Sequence, residues 1–409
     1  MDSEMDRAEC RPTRIGQAGM APPKAMAWLV GLAAFALFGC LFVRPGDNWY
    51  SVYLMLQLDR TRVPTHEIAR IARAASLVWY LLPAAGLLFD RCSAVRQKRR
   101  EILAGSAAIA AVALIVLRFS APPSGILLSL GFLLTGSMAA GGAIAGGILF
   151  DRAAAENRSG SLSAALILIW CGVSFLLMSA MGPVRGFTHE LAFFAAVWFF
   201  LFVISIGLTW RDSVWEDIAV RQPAPFAAVR GCAGYWLALA AWLLLAPFTF
   251  AAYSPGATST WELRALEGAV GFAAVVYLLT WRRMPLRQLL YLAIAASVAE
   301  AFIQHAFRIV MPSIFVLGGC FLGAWALLAI LHLLIYSTPR DFGAFSYGLV
   351  MVVWAVSENL FTHAQSFIGH LNFTSADSAA IALHLAAAGG AALIVWALLS
   401  TALPELDHR

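Results

Sequence analysis

The chain has 409 residues, of which 61% are hydrophobic and only 12% charged, with a mean hydropathy of +0.77. Soluble domains average about 45–50% apolar and about 25% charged residues, so a water-soluble protein is excluded and a multi-pass membrane protein is implied. The net charge of +5 comes from arginines set around apolar segments, which bears on membrane orientation and gives no sign of a nucleic-acid partner.

Residues 1–24 mix Asp, Glu, Arg, Pro and Gly and read as a disordered tail. The apolar run from Ala25 to Val43 follows that long tail, and no small-x-small cleavage site comes after it. Leu37-Phe38-Gly39-Cys40 is only faintly like a lipoprotein box, so the run is read as a first span rather than a leader. About 20 apolar residues cross about 30 Å of hydrocarbon. On that measure spans are predicted at 27–57, 64–89, 102–118, 124–150, 161–182, 190–209, 231–253, 261–281, 287–310, 313–336, 343–370 and 379–402. Each is expected to be helical, because a lipid-facing backbone must satisfy its own hydrogen bonds and no alternating barrel pattern is present. Arg44-Pro45-Gly46-Asp47 interrupts the first span, and Pro64 suits the first turn of the second.

A polar segment, Trp210–Val229, divides the chain into six spans and six. The expected units are a first bundle over 25–209, a linker over 210–229, a second bundle over 230–402 and a tail over 403–409. Transporters are often built from such repeats, with a substrate site between them near the bilayer midplane. With the N-terminus inside, 19 of the 28 Lys and Arg residues fall on inner segments and nine on outer or upper-membrane ones. Both termini are therefore expected to be cytoplasmic, in the plasma (inner) membrane.

Six scattered cysteines show no C-x-x-C pair, so neither a metal site nor a disulfide framework is expected. No G-x-x-x-x-G-K-[ST] occurs, which argues against direct nucleotide drive. The first outer loop holds Asp47 and Asp59 but no adjacent acidic pair, which weakens a membrane-embedded transferase. No catalytic residue and no cofactor are expected.

Gly86-Leu87-Leu88-Phe89-Asp90-Arg91 is followed by Arg96, Lys98, Arg99 and Arg100, and Gly147-Ile148-Leu149-Phe150-Asp151-Arg152 repeats the pattern at the end of span four. Here the sequence resembles the major facilitator superfamily, whose motif between helices two and three runs Gly-x-x-x-Asp-Arg and then basic residues. The family's second glycine is missing, since Cys92-Ser93-Ala94 follows Arg91. The resemblance implies an all-α membrane protein with twelve transmembrane helices in two six-helix bundles. It also implies an inner gate at Asp90, Arg91, Asp151 and Arg152, where an acid at a helix end pairs with arginines of neighbouring helices. A positive-inside loop is the alternative reading of the same cluster. The acid of the second copy, Val43–Gly46, and Thr338-Pro339-Arg340 leading into Phe345–Met351 look like the folate–biopterin transporter and muropeptide permease branches.

Span four is rich in glycine, and Gly142 with Gly146 forms a small-x-x-x-small pair that suits close helix packing. Charges within spans are costly and normally face a cavity or a partner. Arg44 and Asp47 break span one beside Pro45, and Arg70 and Arg73 share a face of span two with Glu67 nearby. These four also fit an outer loop and helix end. In span nine Glu300, Gln304 and Arg308 make one polar stripe, which fits either a site or a structural network. In span eleven Glu358 and His363 lie deep, and histidine titrates near neutral pH. His332 and His384 are weaker candidates.

Taken together, these residues suit a proton-coupled secondary transporter, working as a monomer in the bilayer on a small anionic organic solute. A facilitator-fold assembly factor or sensor without transport stays open as the alternative, with the transferase behind it.

Overall fold

The computed structural model describes residues 23–39, 42–44, 47–48, 64–119, 124–181, 188–208, 232–249, 260–306, 312–339, 341–370 and 376–402. The first half comprises α1 (Pro23–Ala34), prolonged by a π-helical turn Phe35–Gly39, a hairpin of β1 (Phe42–Arg44) and β2 (Asp47–Asn48), then α2 (Thr65–Ser76), a 3-10 turn Leu77–Leu81 and α3 (Leu82–Arg91). It continues with α4 (Ser93–Gln97), α5 (Arg99–Phe119), α6 (Ser124–Ala155), α7 (Ser159–Met181) and α8 (Thr188–Leu208). The second half has α9 (Ala233–Thr249), α10 (Thr260–Thr280), α11 (Leu286–Ala306), α12 (Pro312–Tyr336), α13 (Gly343–His370) and α14 (Ala376–Ala397), which ends in a second π turn, Leu398–Ala402.

These sequences are apolar nearly all round, which suits helices covered by neighbours on one side and lipid on the other. Among the described residues, six stretches are long and apolar enough to cross a membrane: Arg99–Phe119, Gly125–Ala155, Leu286–Ile303, Leu317–Tyr336, Gly343–Phe361 and Ala382–Ser400. Among the described residues, shorter apolar stretches stand at five of the other six predicted spans, and the second, 64–89, has none. Trp198, Phe272 and Leu393 stay largely exposed, as lipid-facing side chains must.

Two predicted spans differ from expectation. The first is helical only to Gly39, and the chain then turns through the hairpin, with Phe42 opposite Asn48 and Arg44 opposite Asp47. A helix through Pro45 would lose a backbone hydrogen bond and clash one turn back, so the helix stops short. The second predicted span is not one helix either. Pro83, in the first turn of α3, cannot donate to the residue four before it, and the preceding turn tightens to 3-10. Pro64 is the N-cap of α2, one residue before the helix, with an extended backbone (φ −61°, ψ 144°). The linker Trp210–Val229 and residues 1–22 and 403–409 lie outside the described residues, while Pro23 and Lys24, the last two of the predicted tail, already belong to α1.

α6 is the axis of the first half: α1, α2, α3 and α5 pack on it, and α8 packs on α5. Its glycines let neighbours come close, as where the ring of Phe38 occupies the place of a side chain at Gly141. In the second half α12 is central, with α9, α10 and α11 against it, while α14 covers α9 and α11. The halves meet along two seams. In one, α13 lies against α3 and α6; in the other, α7 lies against α10 and α12.

Candidate functional site

The first seam is tightest at the start of α13, where both copies of the Gly-x-x-x-Asp-Arg sequence converge. A Cβ on Gly86 would strike the carbonyl of Ala344, and one on Gly147 would come within 2.7 Å of the Ala344 nitrogen. Gly343 faces back onto Gly147 and the Asp151 carboxyl, 2.7 Å from where its own Cβ would lie. Glycine is needed at these places because backbone meets backbone. Tyr347 fills the notch over Gly146, edge-on to Phe35 and Phe150 with ring centroids 6.3 and 5.7 Å away.

Asp90 completes the contact. Its Oδ2 accepts the backbone N–H of Phe345 at 2.8 Å, and its Oδ1 accepts from Arg99 at 2.7 Å. Helix N-termini leave their first N–H groups without intrahelical acceptors, so a carboxylate of the first half caps a helix of the second, where the dipole also favours it. Burial pushes the Asp90 carboxyl up to about 6, against the pull of Arg99 and the Phe345 N–H. A second bridge joins Arg96 to Asp341 at 3.0 Å. Asp341 has a left-handed backbone (φ 65°) that aspartate adopts more readily than most residues. The Asp151 carboxyl lies in the same field of Asp90, Arg99, Asp341 and Arg96. We call this contact the latch.

Asp90 and Asp151 are thus brought to one place, as the sequence implies. Of the motif arginines, Arg91 is exposed and Arg152 half-buried, whereas Arg96 and Arg99, four and seven residues after the cysteine, are buried, Arg99 against Asp90 and Arg96 against Asp341. α4, with Arg96 in its last turn, lies between the first motif and Arg99. Asp341 and the Phe345 amide escaped sequence reasoning, although the loop Thr338–Arg340 leading to them drew attention.

The members of the predicted solute site whose side chains are described lie on α2, α11 and α13. Glu300 is buried (1% exposed) and faces Gly323 of α12, so it sits between two helices of the second half. Arg70 is exposed and 3.6 Å from Glu67 on its own helix, and Arg73 is exposed as well, so both belong to a helix surface. His363 is exposed on α13. Arg44 and Asp47 are opposite each other in the hairpin. The side chains of Arg44, Asp47, Gln304 and Glu358, and the whole of Arg308, lie outside the described residues.

Other polar groups stand at the seams. Asn359 of α13 donates to the Tyr80 hydroxyl across the first seam at 3.3 Å. Glu267, 2% exposed on α10, stands at the second seam, one turn before Gly271, where an added Cβ would meet the Cβ of Cys171 of α7 at 4.0 Å. The only signal for Glu267 in the sequence was an acid inside span eight. Nearer the latch end, the Tyr277 hydroxyl and His332 Nδ1 are 2.8 Å apart, flanked by Trp281 and Trp325. Trp281 in turn occupies a notch at Gly160 of α7, so the second seam is also closed at this end. Among the described residues no group of His, Cys, Asp or Glu could hold a metal ion.

In sequence the chain matches no protein-family model and no curated relative. In structure it is similar to a proton:xylose symporter, XylE, bound to 6-bromo-6-deoxy-D-glucose, at 12% identity and a TM-score of 0.61, covering 94% of this chain and 99% of that one. It is also similar to the human organic anion transporter TETRAN, at 15% identity and a TM-score of 0.57, covering 93% and 100% of the two chains. A bacterial homologue of the iron transporter ferroportin, in an outward-facing state, aligns at 18% identity with a TM-score of 0.60, covering 90% and 99%. The chain has the major facilitator fold, an all-α membrane architecture of twelve helices in two bundles of six.

Proposed function

We propose that the protein is a secondary transporter that moves a small anionic organic solute by alternating access, with protons as the coupling ion. The observation that carries this reading is the latch. The two halves are held together at one end by a buried, charge-assisted clasp of Asp90, Arg99 and the Phe345 amide. Such a contact is strong when made and costly when half-made, which suits an element with a shut and an open state. The likeness to transporters of a sugar, an organic anion and, in a homologue, iron supports the class.

The latch end faces the cytoplasm in this reading, because Arg91, Lys98, Arg100, Arg282, Arg283 and Arg287 gather there. α1 begins at that end, where Trp28 donates to Glu156 at 2.9 Å, and so the hairpin with Arg44 lies at the other. Arg44, Arg70 and Arg73 make the outer approach positive, which favours an anion. Asp47, Gln304, Arg308, Glu358 and His363 remain the proposed polar complement. Bundles over 25–209 and 230–402 with a linker over 210–229, both termini inside and a monomer in the plasma membrane belong to the same proposal. The test is uptake of a panel of radiolabelled organic anions into inside-out and right-side-out vesicles under a pH gradient. Gradient-dependent accumulation of at least one anion is the expected result. No accumulation in either orientation would favour a sensor or assembly factor.

A further inference from the structure

The acid that exchanges a coupling proton must meet a physical condition that burial alone does not supply. A ligand shifts a two-state equilibrium only as far as its affinity differs between the states, so the acid must sit where the two states differ. If the halves rock as bodies, that place is a seam between them. Glu300 fails the condition, since α11 and α12 both belong to the second half and would carry its surroundings with them.

Glu267 meets it. α10 runs from Thr260 to Thr280 with its last turn at the latch end, so Glu267 lies 13 residues in. At 1.5 Å per residue that is about 20 Å of depth, about two-thirds of the way across a hydrocarbon core about 30 Å thick. α7 starts at the same end, and Cys171 lies 12 residues along it, at a matching depth across the seam. The two helices pack side by side, with Gly271 one turn beyond Glu267 meeting the Cβ of Cys171 at 4.0 Å. The carboxylate therefore reaches from the second half to the surface of the first. Away from the latch end the other seam carries the neutral pair Tyr80 and Asn359, its acids Asp90 and Asp151 lying at the latch itself.

We propose that Glu267 takes up the coupling proton while the seam is closed over it and loses it to water when α7 and α10 part. This rests on the transporter reading above and gives its coupling site. A carboxylate closed off inside the hydrocarbon core is costly, whereas the neutral acid is tolerated, so proton binding favours the closed seam and release favours the parted one. Among the described residues, the titratable group that faces Glu267 from α7 is Cys171. α12, also packed on α10, brings His332 against Tyr277, ten residues and about 15 Å further along.

Cys171 is a free thiol and supplies the reporter. The full chain, with every other cysteine replaced by serine, is reconstituted in liposomes and treated with N-ethylmaleimide between pH 5 and 8. Labelling of Cys171 is normalised to the SDS-unfolded protein at the same pH, which removes the chemistry of the thiol itself. Labelling is expected to rise with pH, by up to about tenfold per unit, the limiting slope for one proton taken up on closing. In an Asp90→Asn, Asp151→Asn background, which removes titration at the latch, Glu267→Gln should flatten the profile, Glu267→Asp should keep a slope with a displaced midpoint, and Glu300→Gln should leave it unchanged. A slope that survives Glu267→Gln, or vanishes in Glu300→Gln, overturns the assignment while leaving alternating access intact. A Cys171 that no condition exposes would show that the seam does not open, and the transporter reading would fall with it.

Discussion

The side chains of Arg99 and Asp90 are 5% and 0% exposed, so neither can find water if the other is removed. Breaking such a buried pair costs about 3–5 kcal/mol, much more than an exposed pair such as Arg70 with Glu67. Asp90→Ala should therefore shift the latch toward its open state by at least about a hundredfold. A cysteine introduced at Ala344 and probed with a membrane-impermeant maleimide would read this. Equal labelling of parent and variant would remove the latch role. The pH dependence has a definite sign. Burial raises the Asp90 carboxyl from 3.8 to about 6, so the closed latch binds a proton more readily than the open one. That advantage for closure is complete below 3.8 and is lost as pH rises through about 6. Accessibility of the Ala344 probe should thus fall on acidification from pH 7 to 5, and Asp90→Asn should abolish that slope. The acids were legible in the sequence because a charged residue closing an apolar helix is conspicuous. Their partners were not, because the choice of Arg96 and Arg99 over Arg91 depends on how α4 turns the chain.

Among the elements, the start of α13 is the one whose position the glycines decide. Gly147→Val would place a branched side chain against the Ala344 nitrogen, already 2.7 Å from a bare Cβ. A helix cannot yield there by rotating a side chain, so α13 must move away. The expected outcome is a latch end open to labelling, with little change in the amount of folded protein. Gly105→Val on α5, where nothing lies within 4 Å of an added Cβ, is the control and should behave like the parent. The sequence reading of α6 as a close-packing helix was sound in kind. It could not give the partners, since a glycine stripe records only that something comes near. Here two of the things that come near are rings, Phe38 at Gly141 and Tyr347 at Gly146. The breaks in spans one and two were legible in part. Pro45 marked the first, whereas Pro83 sat inside an unbroken apolar run that hid the 3-10 turn before it.

For the whole molecule, hydropathy and span count were enough for the fold class, because lipid leaves a chain of this composition few alternatives to a helix bundle. They could not say which spans share a seam. Glu300 and Glu267 look alike as lone acids in apolar runs, yet one is sealed inside a half and the other lies between halves. Orientation remains a prediction from arginine placement. Cysteine substituted for Arg283 should react with an impermeant maleimide only from the cytoplasmic side, and cysteine substituted for Arg70 only from outside. The reverse pattern would turn the latch outward.

The two Gly-x-x-x-Asp-Arg copies close on the same residue, Ala344, from opposite sides. Gly86 and Gly147, on different helices, are thereby tied into one mechanical unit. Once an alanine at either position has driven α13 out, the collision at the other has already been relieved. The double variant should then be little worse than the poorer single one, a strongly sub-additive cycle of the kind seen for residues that share a partner. The fault tolerance of the clasp is therefore low: two jaws that grip one point give no redundancy, and damage to either releases both.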